Sequence, residues 1–446
     1  MKEEWYLSLK KTVESQYAPR WNTIIGDRIT ETDYKNVKSF ETELHANRNF
    51  MEAKPRESIF EYISNLRFYS HFFYDRLKDL SIRSEFDRIP RMTRDDLQNK
   101  MSHILPPARS LERLIVNPTS GTTGKPILAP NHPYAIGCYV PMIEYSLLKH
   151  NVKTIHDFNS TAAIQLCHQN KTIVYATTHS LAGGAKFAKI NWKDQDWQAI
   201  DHKEKFIAEQ APTFLTGDPY AFEQAMKSGL QYKPRALHST ALELEESLRI
   251  SLATHFQCPV INFYSLNETG PIAYACPIDQ EWLHILPHDI FVETLDEYGQ
   301  SSHFGEIVIT GGRNPFLPLL RYATGDFGEL NFSQCTCGEK TPRLKLLKGR
   351  KPIYFTDSFG KKINPVDISR ILRMDPNVLR HQFIQMKNGT YKINLSFLNP
   401  PTKIEMDQLK SQFWDLLGKD AELEITENLP NDQSKITIFI NENLDR

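Results

Sequence analysis

One short segment of this chain combines two glycines and four hydroxyl side chains in a form suited to binding phosphate. It reads Thr119-Ser120-Gly121-Thr122-Thr123-Gly124-Lys125-Pro126. Glycine permits positive φ and close approach of the backbone to a ligand, so amide N–H groups and hydroxyls can surround a polyphosphate. A surface turn has the same composition. The commonest phosphate loop is excluded, because Pro126 stands where that loop requires Ser or Thr.

Three later segments carry further residues that could bind a ligand or take part in catalysis. Phe263-Tyr264-Ser265-Leu266-Asn267-Glu268-Thr269-Gly270 places a flat aromatic ring four residues before a carboxylate, which is a hard oxygen ligand suited to Mg²⁺. Arg321-Tyr322-Ala323-Thr324-Gly325-Asp326 ends in a carboxylate whose two oxygens can accept from a vicinal diol. Lys348-Gly349-Arg350-Lys351 supplies cations. Taken singly, each segment has an ordinary structural explanation, such as a buried Tyr or a Thr-Gly-Asp turn.

In this order, the four segments resemble the signature motifs of the adenylate-forming superfamily, which contains acyl-CoA synthetases, peptide-synthetase adenylation domains and luciferases. The chain is most similar to the phenylacetate–CoA ligase branch. The resemblance implies that ATP is held by Thr119, Ser120, Gly121, Thr122, Thr123, Gly124, Tyr264, Glu268, Asp326 and Arg350. Tyr264 would stack on adenine, Glu268 would help hold Mg²⁺, and Asp326 would accept both ribose hydroxyls. Lys351 follows Arg350 where relatives carry paired acidic residues, which weakens the hinge assignment.

The same resemblance implies a two-step reaction. A substrate carboxylate attacks the α-phosphate of ATP, giving an acyl-adenylate and pyrophosphate, and a thiol then takes the acyl group. Because an anion attacks a polyanion, charge must be neutralised. Glu268 with Mg²⁺, Thr122 in the phosphate segment and a lysine near the C-terminus are the expected catalytic groups. Lys435 is the matching lysine, although Ser434 replaces the usual glycine before it.

The cysteines suggest a metal site. Cys335 and Cys337 form a tight Cys-x-Cys pair, and Cys276 and His284 lie in the segment that follows Glu268. Three thiolates and one imidazole make a closed tetrahedral set for structural Zn²⁺. Some members of the phenylacetate–CoA ligase branch have a similar arrangement. His288 is the substitute ligand if His284 points elsewhere, and the alternative is that these residues are reduced core thiols.

The residues that bind the acid are less well defined by the sequence. Two segments that precede the later motifs, around His179 and around His238, are candidates to line its pocket. The branch suggests an aromatic acid, but Ser239-Thr240-Ala241-Leu242-Glu243 replaces the branch's Gly-Gly-Glu, which favours a specialised biosynthetic acid. The expected acceptor is CoA. Transfer to a carrier-protein phosphopantetheine or an amine is the second hypothesis, and a degenerate nucleotide-binding protein is the third.

The amino-acid composition and net charge of the chain limit the classes of function to be expected. The 446 residues carry a formal net charge of −1, with 40% hydrophobic and 24% charged residues, as in an ordinary globular protein. A nearly neutral chain has no field to attract nucleic acid or an anionic membrane. The N-terminus lacks the apolar region of a signal peptide, and no run approaches the roughly 20 apolar residues of a membrane span. We therefore expect a cytoplasmic enzyme, either a monomer or a homodimer.

The sequence predicts two domains that carry these residues. Residues 1–349 are expected to form a large ATP- and acid-binding α/β domain with helix-covered sheets, and its first hundred residues read as mostly helical, with a helix start at Thr93. Residues 350–446 are expected to form a small α+β domain, in which Asn388-Gly389 marks a hairpin. The superfamily resemblance makes this second domain a mobile lid.

Overall fold

The computed structural model describes residues 2–24, 26–46, 54–107, 110–118, 127–169, 172–287, 289–347, 355–363, 368, 371–372, 375–427, 429 and 439–443. Several predicted site residues lie outside these ranges, namely the whole phosphate segment 119–126, His288, Arg350 with Lys351, and Lys435. Their assigned roles, and the predicted domain boundary at 349/350, remain predictions.

The N-terminal segment is helical, as predicted. Its helices are α1 (Glu3–Val13), α2 (Glu31–His45), α3 (Glu57–Leu66), α4 (His71–Leu77), α5 (Arg94–Asn99) and α6 (Met101–Ile104). The predicted cap at Thr93 is present, since its hydroxyl accepts from the backbone N–H of Asp96, whose carboxylate accepts from the backbone N–H of Thr93. Apolar residues of α3 and α4 pack on the antiparallel half of the main sheet, so this segment is part of the large core.

Within the described residues, the main sheet has thirteen strands. Its parallel half, with short β1 and antiparallel β5, consists of β1 (Thr23–Ile24), β4 (Thr161–Cys167), β5 (Tyr175–His179), β6 (Ala185–Asn191), β7 (Phe214–Gly217), β8 (Leu237–Ser239) and β9 (Val260–Leu266). Its antiparallel half consists of β10 (Gly270–Ala275), β11 (Leu283–Ile285), β12 (Ile290–Leu295), β13 (Phe304–Gly311), β14 (Leu319–Asn331) and β15 (Arg343–Leu346). The strand order is β1-β5-β6-β4-β7-β8-β9-β10-β11-β15-β14-β13-β12.

Helices cover the parallel half of this sheet. They are α7 (Pro133–Gly137), α8 (Tyr139–Lys149), α9 (His202–Gln210), α10 (Pro219–Lys227) and α11 (Glu246–Phe256). Two apolar clusters separate them from the strands, one built around α2 and α8 and the other around α9, α10 and α11. A separate hairpin of β2 (Ile115–Pro118) and β3 (Leu128–Asn131) flanks the phosphate segment. The predicted helix-covered α/β architecture is therefore confirmed.

The C-terminal residues form a second, smaller sheet. Its strands are β18 (Val378–Gln385), β19 (Tyr391–Phe397), β20 (Leu423–Thr426) and β21 (Phe439–Asn441), in the order β20-β19-β18-β21, with α12 (Lys403–Leu417) packed against them. A two-stranded ribbon of β16 (Phe355–Thr356) and β17 (Lys362–Ile363) precedes them. The predicted hairpin at Asn388-Gly389 joins β18 to β19. This unit has its own apolar core, as expected for a small α+β domain.

Within the described ranges, no helix combines the length and the apolar character that crossing a membrane requires.

Candidate nucleotide and metal sites

Strands β9 and β14 bring two of the predicted nucleotide-binding residues together. The hydroxyl of Tyr264, near the end of β9, donates to Oδ2 of Asp326 in β14 at 2.9 Å. Gly325 has a φ of +78°, which turns the backbone just before Asp326, and the Asp326 N–H donates to the hydroxyl of Thr324 at 3.1 Å. Burial and the Asp326 carboxylate raise the pKa of Tyr264 well above its usual value, so Tyr264 remains a neutral hydrogen-bond donor.

Glu268 lies in the turn between β9 and β10, where its side chain is almost fully buried. The Tyr322 hydroxyl, from the strand that carries Asp326, donates to Oε1 of Glu268 at 3.3 Å. Gly270 has a φ of +75°, and a Cβ at this position would lie 2.3 Å from the Tyr139 ring, so the turn needs glycine on both counts. Burial raises the pKa of Glu268, while the hydrogen bond from Tyr322 lowers it. A divalent cation at this carboxylate would favour its charged form.

Arg94 supplies a positive charge that acts on Glu268. From the sequence, this region was predicted only as the beginning of a helix capped by Thr93. Burial raises the pKa of both Glu268 and Tyr322, and the positive charge of Arg94, the first residue of α5, offsets part of that rise. Its position follows from Met92, whose N–H donates to the Arg321 carbonyl at 3.1 Å and whose carbonyl accepts from Ala323 at 2.9 Å. The N-terminal segment is thereby joined to the strand that carries Asp326.

Asn262 is a second candidate ligand-binding residue that the sequence motifs did not predict. It precedes Tyr264 by two positions on β9, and therefore lies on the same face of the strand. Its Oδ1 is buried and has no hydrogen-bond partner among the described residues. A buried amide oxygen without a partner is unfavourable, so this atom is suited to accept from a ligand. Asn262 could have been predicted from the sequence, because it lies next to the Tyr264 motif.

The four predicted zinc ligands converge, as the sequence argument proposed. The ligand atoms of Cys276, His284, Cys335 and Cys337 all lie within 4.8 Å of one another. The Cys276 and Cys335 sulfurs are 3.7 Å apart, and Cys337 Sγ is 3.1 Å from His284 Nε2. Strand pairing explains the convergence, since β10 ends just before Cys276 and His284 lies opposite Tyr274 on β11. Three sulfurs and one imidazole fit a closed tetrahedral Zn²⁺ site. His284 occupies the position for which His288 was the substitute.

A buried carboxylate ties this cluster to the rest of the large domain. Glu339 follows the Cys-x-Cys pair, and its Oε2 accepts from Tyr145 at 2.9 Å, Tyr274 at 3.1 Å and Lys149 at 2.6 Å. Tyr274 lies on β10, and the other two donors lie on α8. The side chain of Glu339 therefore fixes the loop of Cys335 and Cys337 to α8 and to β10, which follows Glu268 in the chain.

Comparison with known proteins shows which proteins this chain is similar to. No family model matches the chain. Over 324 residues it is 24% identical to a phenylacetate–coenzyme A ligase of Thermus thermophilus, covering 69% of this chain and 70% of that protein. It is 22% identical over 342 residues to protein CapK of Staphylococcus aureus, covering 74% of each. A crystal structure of 2-hydroxyisobutyryl-CoA ligase, holding an acyl-adenylate, superposes with a TM-score of 0.66 at 13% identity over 99% of this chain and 96% of that chain. The chain is therefore similar in sequence to a phenylacetate–coenzyme A ligase, and it has the fold of an adenylate-forming ligase.

In this fold, the two segments expected to line the acid pocket do not come together. His238 lies on β8, at the carboxyl ends of the parallel strands and near the Tyr264 motif. His179 pairs with Ala185 at the start of β6, hence at the opposite edge of the sheet and four strands away. Ser180 next to it bonds Asp27 of the N-terminal segment at 2.6 Å. The expectation that His179 lines the pocket with His238 is therefore wrong, because β5 runs antiparallel to the strands that carry the site.

His238 is held in a defined orientation. Its Nδ1 lies 2.8 Å from the Thr216 hydroxyl, and its ring packs against Phe263 with centroids 4.1 Å apart. Its Nε2 is buried and has no partner among the described residues. Burial lowers the pKa of His238 to about 3, so the ring is neutral at physiological pH.

Proposed function

We propose that this chain is an AMP-forming acid–thiol ligase. It would activate a carboxylic acid with ATP, release pyrophosphate, and pass the acyl group from the acyl-adenylate to a thiol, most simply that of CoA. The observation that carries the proposal is the hydrogen bond between Tyr264 and Asp326, with Glu268 held by Tyr322 beside it. Three chemically distinct groups that the superfamily uses on one nucleotide thus come from β9, the turn that follows it, and β14.

The nucleotide roles follow from the chemistry of these groups. The Tyr264 ring offers a face for adenine, and the free oxygen of Asn262 would accept from its exocyclic amine. Asp326 would accept from the ribose hydroxyls, because a carboxylate offers the paired acceptor oxygens that a vicinal diol requires. The backbone and hydroxyls of 119–124, including Thr122, together with Arg350, would bind the phosphates and ribose.

Charge neutralisation is the main requirement of the first step. Glu268 would hold Mg²⁺, which supplies positive charge to the phosphates when bound. Arg94 would add a guanidinium on the same side, and Lys435 would approach from the lid. The carboxylate of the acid then attacks the α-phosphorus, the bond to the pyrophosphate oxygen breaks, and pyrophosphate leaves with that electron pair. In the second step the thiol sulfur replaces AMP at the acyl carbon, and its proton is lost.

The acid is proposed to be aromatic or a specialised biosynthetic acid, bound near the carboxyl ends of β8 and β9. The four converging Cys and His residues are proposed to hold a structural Zn²⁺, because a complete set of four protein ligands leaves no position for substrate. These assignments rest on the branch resemblance and on donor chemistry. A carrier-protein phosphopantetheine or an amine is the alternative acceptor.

Isotope exchange between pyrophosphate and ATP tests the first step. A panel of aryl, aliphatic and amino acids should contain at least one that drives exchange in wild type, and Glu268→Ala and Asp326→Ala should abolish it. Exchange lost in Lys435→Ala and kept in Lys361→Ala would support the lysine assignment, because Lys361 is an exposed residue of the β16–β17 turn. Repeating the reaction with CoA, or with a carrier protein, identifies the acceptor. Absence of exchange with every acid would favour the degenerate nucleotide-binding protein instead.

A further inference from the structure

The C-terminal sheet docks on a defined surface of the large domain, formed by α10 and α11. Leu379 of β18 is fully buried and belongs to the apolar cluster around those two helices. The Ser247 hydroxyl of α11 donates to the Val378 carbonyl at the start of the same strand. Side-chain packing and a hydrogen bond to the backbone together define one orientation of the small sheet.

A carboxylate with no solvent exposure lies within this docking surface. Glu223 of α10 is 0% exposed, and its Oε1 accepts from the Ser396 hydroxyl at 2.6 Å and from Lys227 at 2.8 Å. Its Oε2 lies 2.6 Å from Nε of Arg380. Ser396 and Arg380 belong to the C-terminal sheet, and Lys227 belongs to α10 itself. A buried carboxylate requires such partners, and the small sheet supplies a hydrogen bond from Ser396 and the adjacent charge of Arg380.

Two contacts position the Glu223 partners on the small sheet. Arg380 and Ser396 are paired across β18 and β19, so they reach Glu223 as one unit. The Arg380 guanidinium also stacks on the Tyr220 ring of α10 at 4.4 Å. A second polar contact, His381 Nδ1 to Glu245 Oε1 at 3.4 Å, lies at the start of α11.

We propose that Glu223 is a latch that holds the C-terminal unit in this orientation and thereby sets the balance between acid activation and acyl transfer. The second part rests on the proposed function, in which the C-terminal unit must move between the two steps. The latch is reversible, because water can replace Arg380 and Ser396 at Glu223 once the sheet has left. Lys227, four residues further on the same helix, stays beside the carboxylate in both states.

Distances between the two units test the latch without any catalysis. Spectroscopic labels attached through noncanonical amino acids at Ile200 and Asn388, both exposed, leave the native thiols untouched. Wild type should give a distance distribution with one dominant peak. Glu223→Gln and Arg380→Met should broaden it toward longer or alternative distances, and Arg380→Lys should fall between. The matched control is Glu246→Gln, which removes a carboxylate of α11 whose ion-pair partner among the described residues is Arg249 of the same helix, at 2.5 Å.

The two half-reactions test the consequence. In Glu223→Gln the ratio of pyrophosphate exchange to acyl transfer from preformed acyl-adenylate should change severalfold, because the two steps depend on different orientations. An unchanged distance distribution in folded Glu223→Gln and Arg380→Lys overturns the latch, and so does equal slowing of both steps. If wild type catalyses no exchange while the distances still respond, the proposed function fails and the latch stands.

Discussion

Arg321 and Glu293 form a buried ion pair at the strand that carries Asp326, so the Arg321 guanidinium has a structural partner and is not assigned to the candidate nucleotide site. The guanidinium contacts both carboxylate oxygens of Glu293, at 2.9 and 3.2 Å, and is 2% exposed. It also donates to the backbone carbonyls of Phe86 and Ile89. The first residue of the Arg-Tyr-Ala-Thr-Gly-Asp segment therefore fixes the N-terminal helical segment to the sheet.

Removing Arg321 should destabilise the fold. In Arg321→Met the buried Glu293 carboxylate loses its partner, which costs about 3–5 kcal/mol of unfolding free energy. Denaturant unfolding measures this, and the double variant Arg321→Met/Glu293→Leu should recover most of the loss. The exposed Arg83–Glu57 pair is the control, since Arg83→Met should leave stability close to wild type. A single variant as stable as wild type would contradict the structural role.

The bond between Tyr264 and Asp326 predicts how the enzyme recognises ribose. Asp326→Asn should raise the KM for ATP about 10- to 100-fold, because hydrogen bonds to a charged acceptor contribute about 1.5–3 kcal/mol. Wild type should discriminate against 2′-deoxy-ATP and 3′-deoxy-ATP, and Asp326→Asn should lose most of that discrimination. Tyr264→Phe keeps the ring and should have a smaller effect. If the variant discriminates as strongly as wild type, Asp326 does not bind the ribose.

The parts of the structure that the sequence could predict are those with a local cause or a strict ligand chemistry. The cap at Thr93 and the hairpin at Asn388-Gly389 depend on neighbouring residues alone. Cys276 and His284 could be joined to the distant Cys-x-Cys pair because few other functions need three thiols and an imidazole.

The missed residues depend on contacts between distant segments. The charge of Arg94 acts on Glu268 because Met92, two residues earlier, bonds to β14, and nothing near Arg94 in the sequence signals that placement. The same holds for Glu339, whose donors lie on α8 and β10. His179 was misplaced because the direction of β5 cannot be read from its residues.

Metal content tests the Cys276–His284–Cys335–Cys337 cluster. Purified protein should contain one zinc ion per chain by elemental analysis, and Cys335→Ser should lower that content and the thermal midpoint together, since structural zinc stabilises the fold. A strong chelator should lower the midpoint of wild type and not that of the variant. Cys258→Ser is the matched control, because this half-buried thiol is not among the clustered ligands. Zinc-free wild type with an unchanged midpoint would show that these are core thiols.

Arg94 should act on phosphate binding and on the charge state of Glu268. Arg94→Gln should raise the KM for ATP and for pyrophosphate about tenfold, as expected for a lost charge-assisted contact. The positive charge of Arg94 lowers the pKa of Glu268, so removing it raises that pKa. The acid limb of the exchange rate, below which Glu268 is protonated, should therefore move to higher pH. Arg91→Gln is the control, since Arg91 pairs with Glu306 at 3.0 Å. Equal effects of both substitutions would argue against a site role.

His238 should make the free energy of unfolding depend on pH. Its pKa in the folded protein is about 3, lowered by burial, against about 6.5 in the unfolded chain. Between these values the unfolded chain binds a proton that the folded protein does not, so this contribution is complete above pH 6.5 and is lost as pH falls. Between pH 7 and pH 5 the loss is about 2 kcal/mol. His238→Gln cannot titrate, so its unfolding free energy should fall less than that of wild type over this interval. Parallel curves for the two proteins would mean that His238 is protonated, or reaches solvent, in the folded state.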